Sequence, residues 1–307
     1  MTRSLAAAIA VQAVLFAAVG LVVLDMRAHN RVEKLGGVNV WGYRGTELGQ
    51  KKDREIRIAV FGGDMAFGWG VAAEETIANY VSRLVSVELN RAGQRSRIVT
   101  PIVAAARGMR IDEYAGWIQY FSSLQPDIIC LLPDEPGHEL ARGRFLPDRH
   151  SLVFARTGYS PILPLVLREK ATVNHSALLG VLAGLLEAAD LETAPSGHAP
   201  AELTNSMGPA IDAARKAATT GVILVLPPRW DDRATETPPD DSRFRRVSLA
   251  ADPEMHRDAL RLDGYHFSAG GHSRAAESVA PVALELIHAV PDAGRMSRVL
   301  PHASRLK

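Results

Sequence analysis

The chain has 307 residues and a mass of 33.1 kDa, with 47% apolar and 22% charged side chains, which suits one sizeable α/β domain plus an appendage. Thirty-five Lys and Arg against 34 Asp and Glu leave a net charge of +1, so no electrostatic case exists for nucleic acid as a partner. The single cysteine, Cys130, lies inside an apolar run, which excludes an intrachain disulfide and a cysteine-built zinc cluster.

Residues 5–24 carry no charge, and Gln12 is their one strongly polar side chain. A helix of that length reaches about 30 Å, the thickness of a bilayer's hydrocarbon core. A cleaved signal peptide is the rival reading. Its apolar region, however, is usually roughly 7–15 residues, and no convincing A-x-A site follows this run, since Asp25-Met26-Arg27 arrive at once. The segment is apolar all round, without the polar face of a surface helix, so residues 1–26 are read as one continuous, uncleaved signal-anchor. Arg3 lies on one side of the run and Arg27, Arg31 and Lys34 on the other, a positive-inside count that leans towards a cytoplasmic C-terminal domain. Residues 27–52 form a polar connector holding Asn39-Val40-Trp41-Gly42-Tyr43-Arg44.

From residue 53 strands and helices alternate. Residues 56–61, 97–104, 127–132 and 222–226 are short, β-branched and apolar, as buried parallel strands are, and 246–249 is a weaker fifth. Residues 74–90, 112–124, 175–189, 205–219 and 268–289 read as helices, with Asp112 and Ser268 as N-caps. This rhythm predicts a three-layer α/β/α sandwich over 53–290, a five-stranded parallel sheet with helices on both faces and 56–61 in its interior. Residues 133–170, rich in Pro, Gly and Arg, read as a long loop over the strand ends; 227–245, with four prolines, as an exposed loop or lid. Residues 291–307 form a basic tail.

Two segments carry the chemistry. Residues 56–61 run into Gly62-Gly63-Asp64-Met65-Ala66-Phe67-Gly68, and near the C-terminus stands Asp263-Gly264-Tyr265-His266, followed by Gly270-Gly271-His272. A strand that turns sharply through glycines into a helix lifts one side chain above the sheet edge, here Asp64. An aspartate there is equally suited to be a plain helix N-cap. The glycines do not form G-x-G-x-x-G, and no lysine follows Gly68 as a phosphate loop needs. No spacing points to a metal or a cofactor; a hard-cation site from Asp64, Asp134 or Glu135 and His266 would have to be assembled from separate loops.

Together these blocks resemble the first and last sequence blocks of the SGNH (GDSL) hydrolases, esterases with a Ser-His-Asp triad. The resemblance spans roughly residues 39–286 and implies a flavodoxin-like sheet with strand order second-first-third-fourth-fifth. It also implies that Asp263 orients His266 as the base, and that the backbone N–H of Gly108 faces the developing oxyanion. The 39–44 pattern is similar to the segment that precedes the hydrolase domain in membrane-anchored relatives, whose soluble domains face outwards, which implies a periplasmic or exterior location. The chain departs from the family at two points. Asp64 stands where the family has its nucleophilic serine, and Pro133-Asp134-Glu135 where it has the oxyanion asparagine. A carboxylate accepts hydrogen bonds and cannot donate them, and losing one oxyanion donor typically costs ~10²–10³ in rate.

Two functional readings follow. One is a binding or scaffold protein of the cell envelope, in contact with the membrane through its N-terminal helix and with an acyl ester or polysaccharide as ligand. The other is an active ester hydrolase or acyl-transfer enzyme with Asp64 as nucleophile and His266 and Asp263 as base and orienter. In either case Asp64, Gly108, Asp263 and His266 are expected to converge at the C-terminal ends of the strands, with Asp64 in reach of a His266 ring nitrogen and favouring its protonated form.

Overall fold

Five runs form the strands; the three interior ones are buried at every position, and the two edge strands are partly exposed. The five are β1 (Glu55–Gly62), β2 (Ile98–Ala105), β3 (Ile128–Leu132), β4 (Gly221–Leu226) and β5 (Phe244–Ser248). The structure, a computed structural model, describes residues 2–34, 38–106, 108–135, 152–159, 161–173, 176–190, 207–230 and 238–289. All five strands are parallel, in the order β2-β1-β3-β4-β5, so β1 is interior as expected. All eight β1 residues are buried.

The helices in chain order are α1 (Thr2–Lys34), α2 (Asp64–Phe67), α3 (Ile77–Arg91), α4 (Ile111–Phe121), α5 (Leu152–Thr157), α6 (Leu163–Val173), α7 (Ala177–Asp190), α8 (Gly208–Ala217) and α9 (Ala269–Ala289). α3 packs with α9 on one face of the sheet, and α4 with α8 on the other. Ser268 caps α9 as expected, its hydroxyl accepting from the Gly271 N–H at 3.2 Å. Asp112 does not cap α4. The helix starts one residue earlier, Arg110 holds the cap position, and the Glu113 carboxylate reaches back to the Arg110 N–H at 3.0 Å.

The chain divides into two compact units. The sheet and its four covering helices belong to residues 48–142 and 200–307; residues 1–47 and 143–199 form the other unit. In that second unit α1 continues past the apolar run to Lys34, and its most apolar stretch, within Leu5–Asn30, has a mean hydropathy of 2.6 and is wholly exposed. Among the described residues it is the one helix long and apolar enough to cross a membrane. The region 133–170, read from sequence as a loop, contains α5 and the start of α6. The helix expected at 175–189 is α7, and it packs on α6. The sequence signal failed there because α6 is too short and mixed to show a period alone; its apolar side chains find their partner in the next helix. Asn39 closes the turn of the aromatic motif, accepting from the Trp41 and Tyr43 amides at 3.0 and 3.4 Å and donating to the Gly45 carbonyl at 3.0 Å. The 291–307 tail and residues 231–237 of the proposed lid lie outside the described residues.

Candidate functional site

Register sets the site. Gly62, the last residue of β1, lies level with Ala105 of β2 and Leu132 of β3, so the loops after all three strands emerge at one edge. β1 then turns through Gly63 into α2, which begins with Asp64. The glycine at 63 is required by contact: a Cβ there would lie 1.8 Å from Asp134 Oδ2. The Gly108 backbone has φ +72°, a left-handed conformation that a side chain would strain, and it points the Gly108 N–H inwards.

The four residues named from the sequence come together. Asp64 is fully buried; its Oδ1 accepts from the Gly108 N–H at 2.8 Å and its Oδ2 lies 3.4 Å from His266 Nε2. His266 Nδ1 lies 2.7 Å from Asp263 Oδ2. Asp263 Oδ1 accepts in turn from the amides of His266 (2.9 Å) and Tyr265 (3.2 Å), which fixes the loop that carries both. Asp64 is therefore more than a cap for its own helix.

The cap is another residue, one whose role the sequence did not reveal. Asp134 accepts the Asp64 N–H at 3.0 Å and the Met65 N–H at 2.9 Å, closing the start of α2 from the β3 side. A serine nucleophile at position 64 would offer its own N–H and that of Gly108 to a developing oxyanion. Here Asp134 holds the first and Asp64 the second. Glu135 forms a buried ion pair with Arg261 at 2.9 Å, and Arg261 Nη1 also donates to the Tyr265 carbonyl at 2.5 Å. That pair ties the end of β3 to the His266 loop. An arginine two residues before Asp263 and a second acid after β3 were its only traces in the sequence.

The electrostatics follow from this crowding. Loss of water pushes the Asp134 carboxyl up to about 6, with the Asp64 charge adding to the rise and the two amide hydrogen bonds opposing it. Burial alone would lower the His266 pKa, but the carboxylates of Asp64 and Asp263 overcome it and raise the histidine above its ordinary value. Asp263 sits at about 2: partial burial acts upwards, and its hydrogen bonds from His266 and Tyr265 prevail. The imidazole is thus held towards its protonated form between two acids, a poor state for a general base. Among the described residues no group of three or more His, Cys, Asp or Glu is placed to hold a metal ion.

The strand order is the one the family resemblance implied. The fold is a three-layer α/β/α sandwich with a five-stranded parallel sheet. No family model and no curated protein matches the chain. Among solved structures, the chain is similar to a two-domain esterase active on acetylated mannans, with a TM-score of 0.36 and 12% identity over 82% of this chain and 53% of that one. A carbohydrate esterase family 3 enzyme from Talaromyces cellulolyticus gives a TM-score of 0.36 and 13% identity, over 77% of this chain and 100% of that one. An acetyl xylan esterase from Geobacillus stearothermophilus gives 0.35 and 13%, over 75% and 94%. This chain thus spans about half the length of the first of these, 53%.

Proposed function

We propose that the protein is a membrane-anchored, SGNH-hydrolase-like binding or scaffold component of the cell envelope that has given up serine-esterase chemistry. The observation that carries this reading is the filling of the oxyanion site by the chain's own acids, Asp64 on the Gly108 N–H and Asp134 on the Asp64 N–H. An incoming carbonyl oxygen would have to displace a carboxylate from each donor and then develop negative charge beside both. Asp64 as a replacement nucleophile fares no better: one of its oxygens is engaged by Gly108 and the other faces His266. The exposed apolar run of α1 supports anchoring, and the domain is placed on the periplasmic or exterior side, where acyl esters and polysaccharides are the ligand classes that the family resemblance suggests.

The deciding experiment is hydrolysis of p-nitrophenyl acetate by the purified chain, by His266→Ala, and by the double variant Asp64→Ser/Asp134→Asn. The expected outcome is no turnover above background for the first two and measurable turnover for the double variant, abolished when His266→Ala is added. Turnover by the unaltered chain that disappears in His266→Ala would establish the enzyme reading in place of this one. Retention in carbonate-washed membranes tests the anchor, and a full-length chain released by the wash would refute it.

A further inference from the structure

The unit that holds α1 exposes a second apolar surface, which the membrane span leaves unexplained. α7 carries no charged or polar side chain from Ala177 to Leu186. Leu178, Val181, Leu182 and Leu185, spaced i, i+3, i+4 and i+7 along one helical face, are 69%, 59%, 42% and 62% exposed. On a helix facing water that stripe would be polar. Ten apolar residues rise about 15 Å, half a hydrocarbon core, so the helix is too short to span and long enough to lie in an interface.

Asp25 says where the stripe sits. It follows directly on the apolar run 5–24, at the level where α1 leaves hydrocarbon. There its Oδ1 accepts the N–H groups of Ile162 (2.9 Å) and Leu163 (2.5 Å), and its Oδ2 accepts the Tyr159 hydroxyl. The start of α6 is thereby pinned to the membrane surface. α6 has 11 residues, and α7 follows after a short link and packs on it. Eleven residues rise about 16 Å, which keeps the stripe within reach of the same surface. Arg27 and Arg156, both exposed, flank the pinned level with charges that suit anionic headgroups.

We infer that α6 and α7 form a membrane-contacting hairpin whose Leu178–Leu185 stripe is buried among lipid acyl chains in the bilayer that α1 enters. The inference rests on the anchor reading above, and it makes the membrane a partner of the inserted segment as well as of the N-terminal helix.

Cysteine placement in the full-length chain tests it. Cys130 is buried and its thiol is pushed up to about 12, so it does not compete for label. Leu15→Cys, Leu182→Cys, Leu185→Cys and, as a water-facing control, Val87→Cys are labelled with a nitrobenzoxadiazole fluorophore. The labelled chains are reconstituted in phosphatidylethanolamine–phosphatidylglycerol vesicles containing lipids spin-labelled in the acyl chain. The Leu182 and Leu185 labels should lose emission by at least roughly half as much as the Leu15 label, with the Val87 label unquenched. Quenching at Leu15 without quenching at Leu182 and Leu185 overturns the hairpin inference and leaves the anchor standing. Absence of quenching at Leu15 as well overturns both. Disulfide-linked dimers of Leu182→Cys, formed equally in detergent and in vesicles, would assign the stripe to a second copy of the chain and overturn the lipid assignment.

Discussion

At the N-terminal edge of the sheet Asp127 accepts the Arg57 N–H, the Lys51 ammonium and the Thr219 hydroxyl, while Arg57 bridges to Glu55 and donates to the carbonyls of Gly49 and Leu124. At the C-terminal edge, among the described residues, Asp64, Asp134 and Asp263 gather around one histidine, and the backbone N–H groups of Asp64, Met65, Gly108, Tyr265 and His266 also donate to them. The first edge matches acids to bases one for one, as a stabilising network does. Among the described residues the second gathers more acids than bases and holds them with backbone amides. The difference separates a network that pairs opposite charges from one that collects like charges around a single imidazole.

The comparison can be broken from either side. The largest effect is expected at the N-terminal edge: Arg57→Met strands Glu55 in a buried site and should cost about 3–5 kcal/mol in urea unfolding. Next comes the other edge. Asp64→Ser alone should give weak ester hydrolysis, because Asp134 still holds the residue 64 amide, and adding Asp134→Asn should raise it by about 10²-fold. Equal rates for the single and double variants would mean that Asp134 is not the block.

Smaller, and sharper, is the pH dependence. The Asp134 pKa of about 6 lies above the ordinary 3.8, so its contribution to stability is complete below 3.8 and lost as pH rises through about 6. His266, also raised, contributes below its ordinary 6.5 and loses this contribution as pH rises through its folded value. Asp263, held at about 2, contributes above the ordinary 3.8 and fades as pH falls towards 2. Urea midpoints should therefore peak at about pH 4, fall between about pH 4 and 6 as the Asp134 contribution is lost, and fall again above pH 6.5 through His266. Asp134→Asn should flatten the first of these declines. Asp263→Asn should flatten the acid one, by less, since that side chain is half exposed.

Much of this could be read from the chain itself. Residues 222–226 are apolar at every position, and 56–61 at every position but Arg57, because both faces of a doubly covered parallel sheet are dry, and that pattern survives without any alignment. Asp263 and His266 were legible because their spacing within one loop fixes their geometry. Gly108 could be named from the resemblance to the hydrolases, its left-handed backbone then explaining why no other residue serves there. Asp134 was visible as a substitution but not as a cap, since its partners lie 69 and 70 positions earlier and their amides leave no mark in a sequence. The Glu135–Arg261 pair, 126 residues apart, was hidden for the same reason. α7 was legible as a helix at 175–189, but its partner α6 was not, because an apolar helix announces that it is buried or lipid-facing without naming its neighbour.

Asp25 ties the end of α1 to a segment far along the chain. Proteolytic removal of the leader at or beyond this residue would take away the acceptor of the Ile162 and Leu163 amides, 137 and 138 positions downstream, and of the Tyr159 hydroxyl. A buried donor left unsatisfied costs about 1–3 kcal/mol, enough to loosen the start of α6. Processing of the leader would thus be recorded as a change in local order far along the chain, and protease sensitivity around residues 159–163 would report whether a given molecule still carries its anchor.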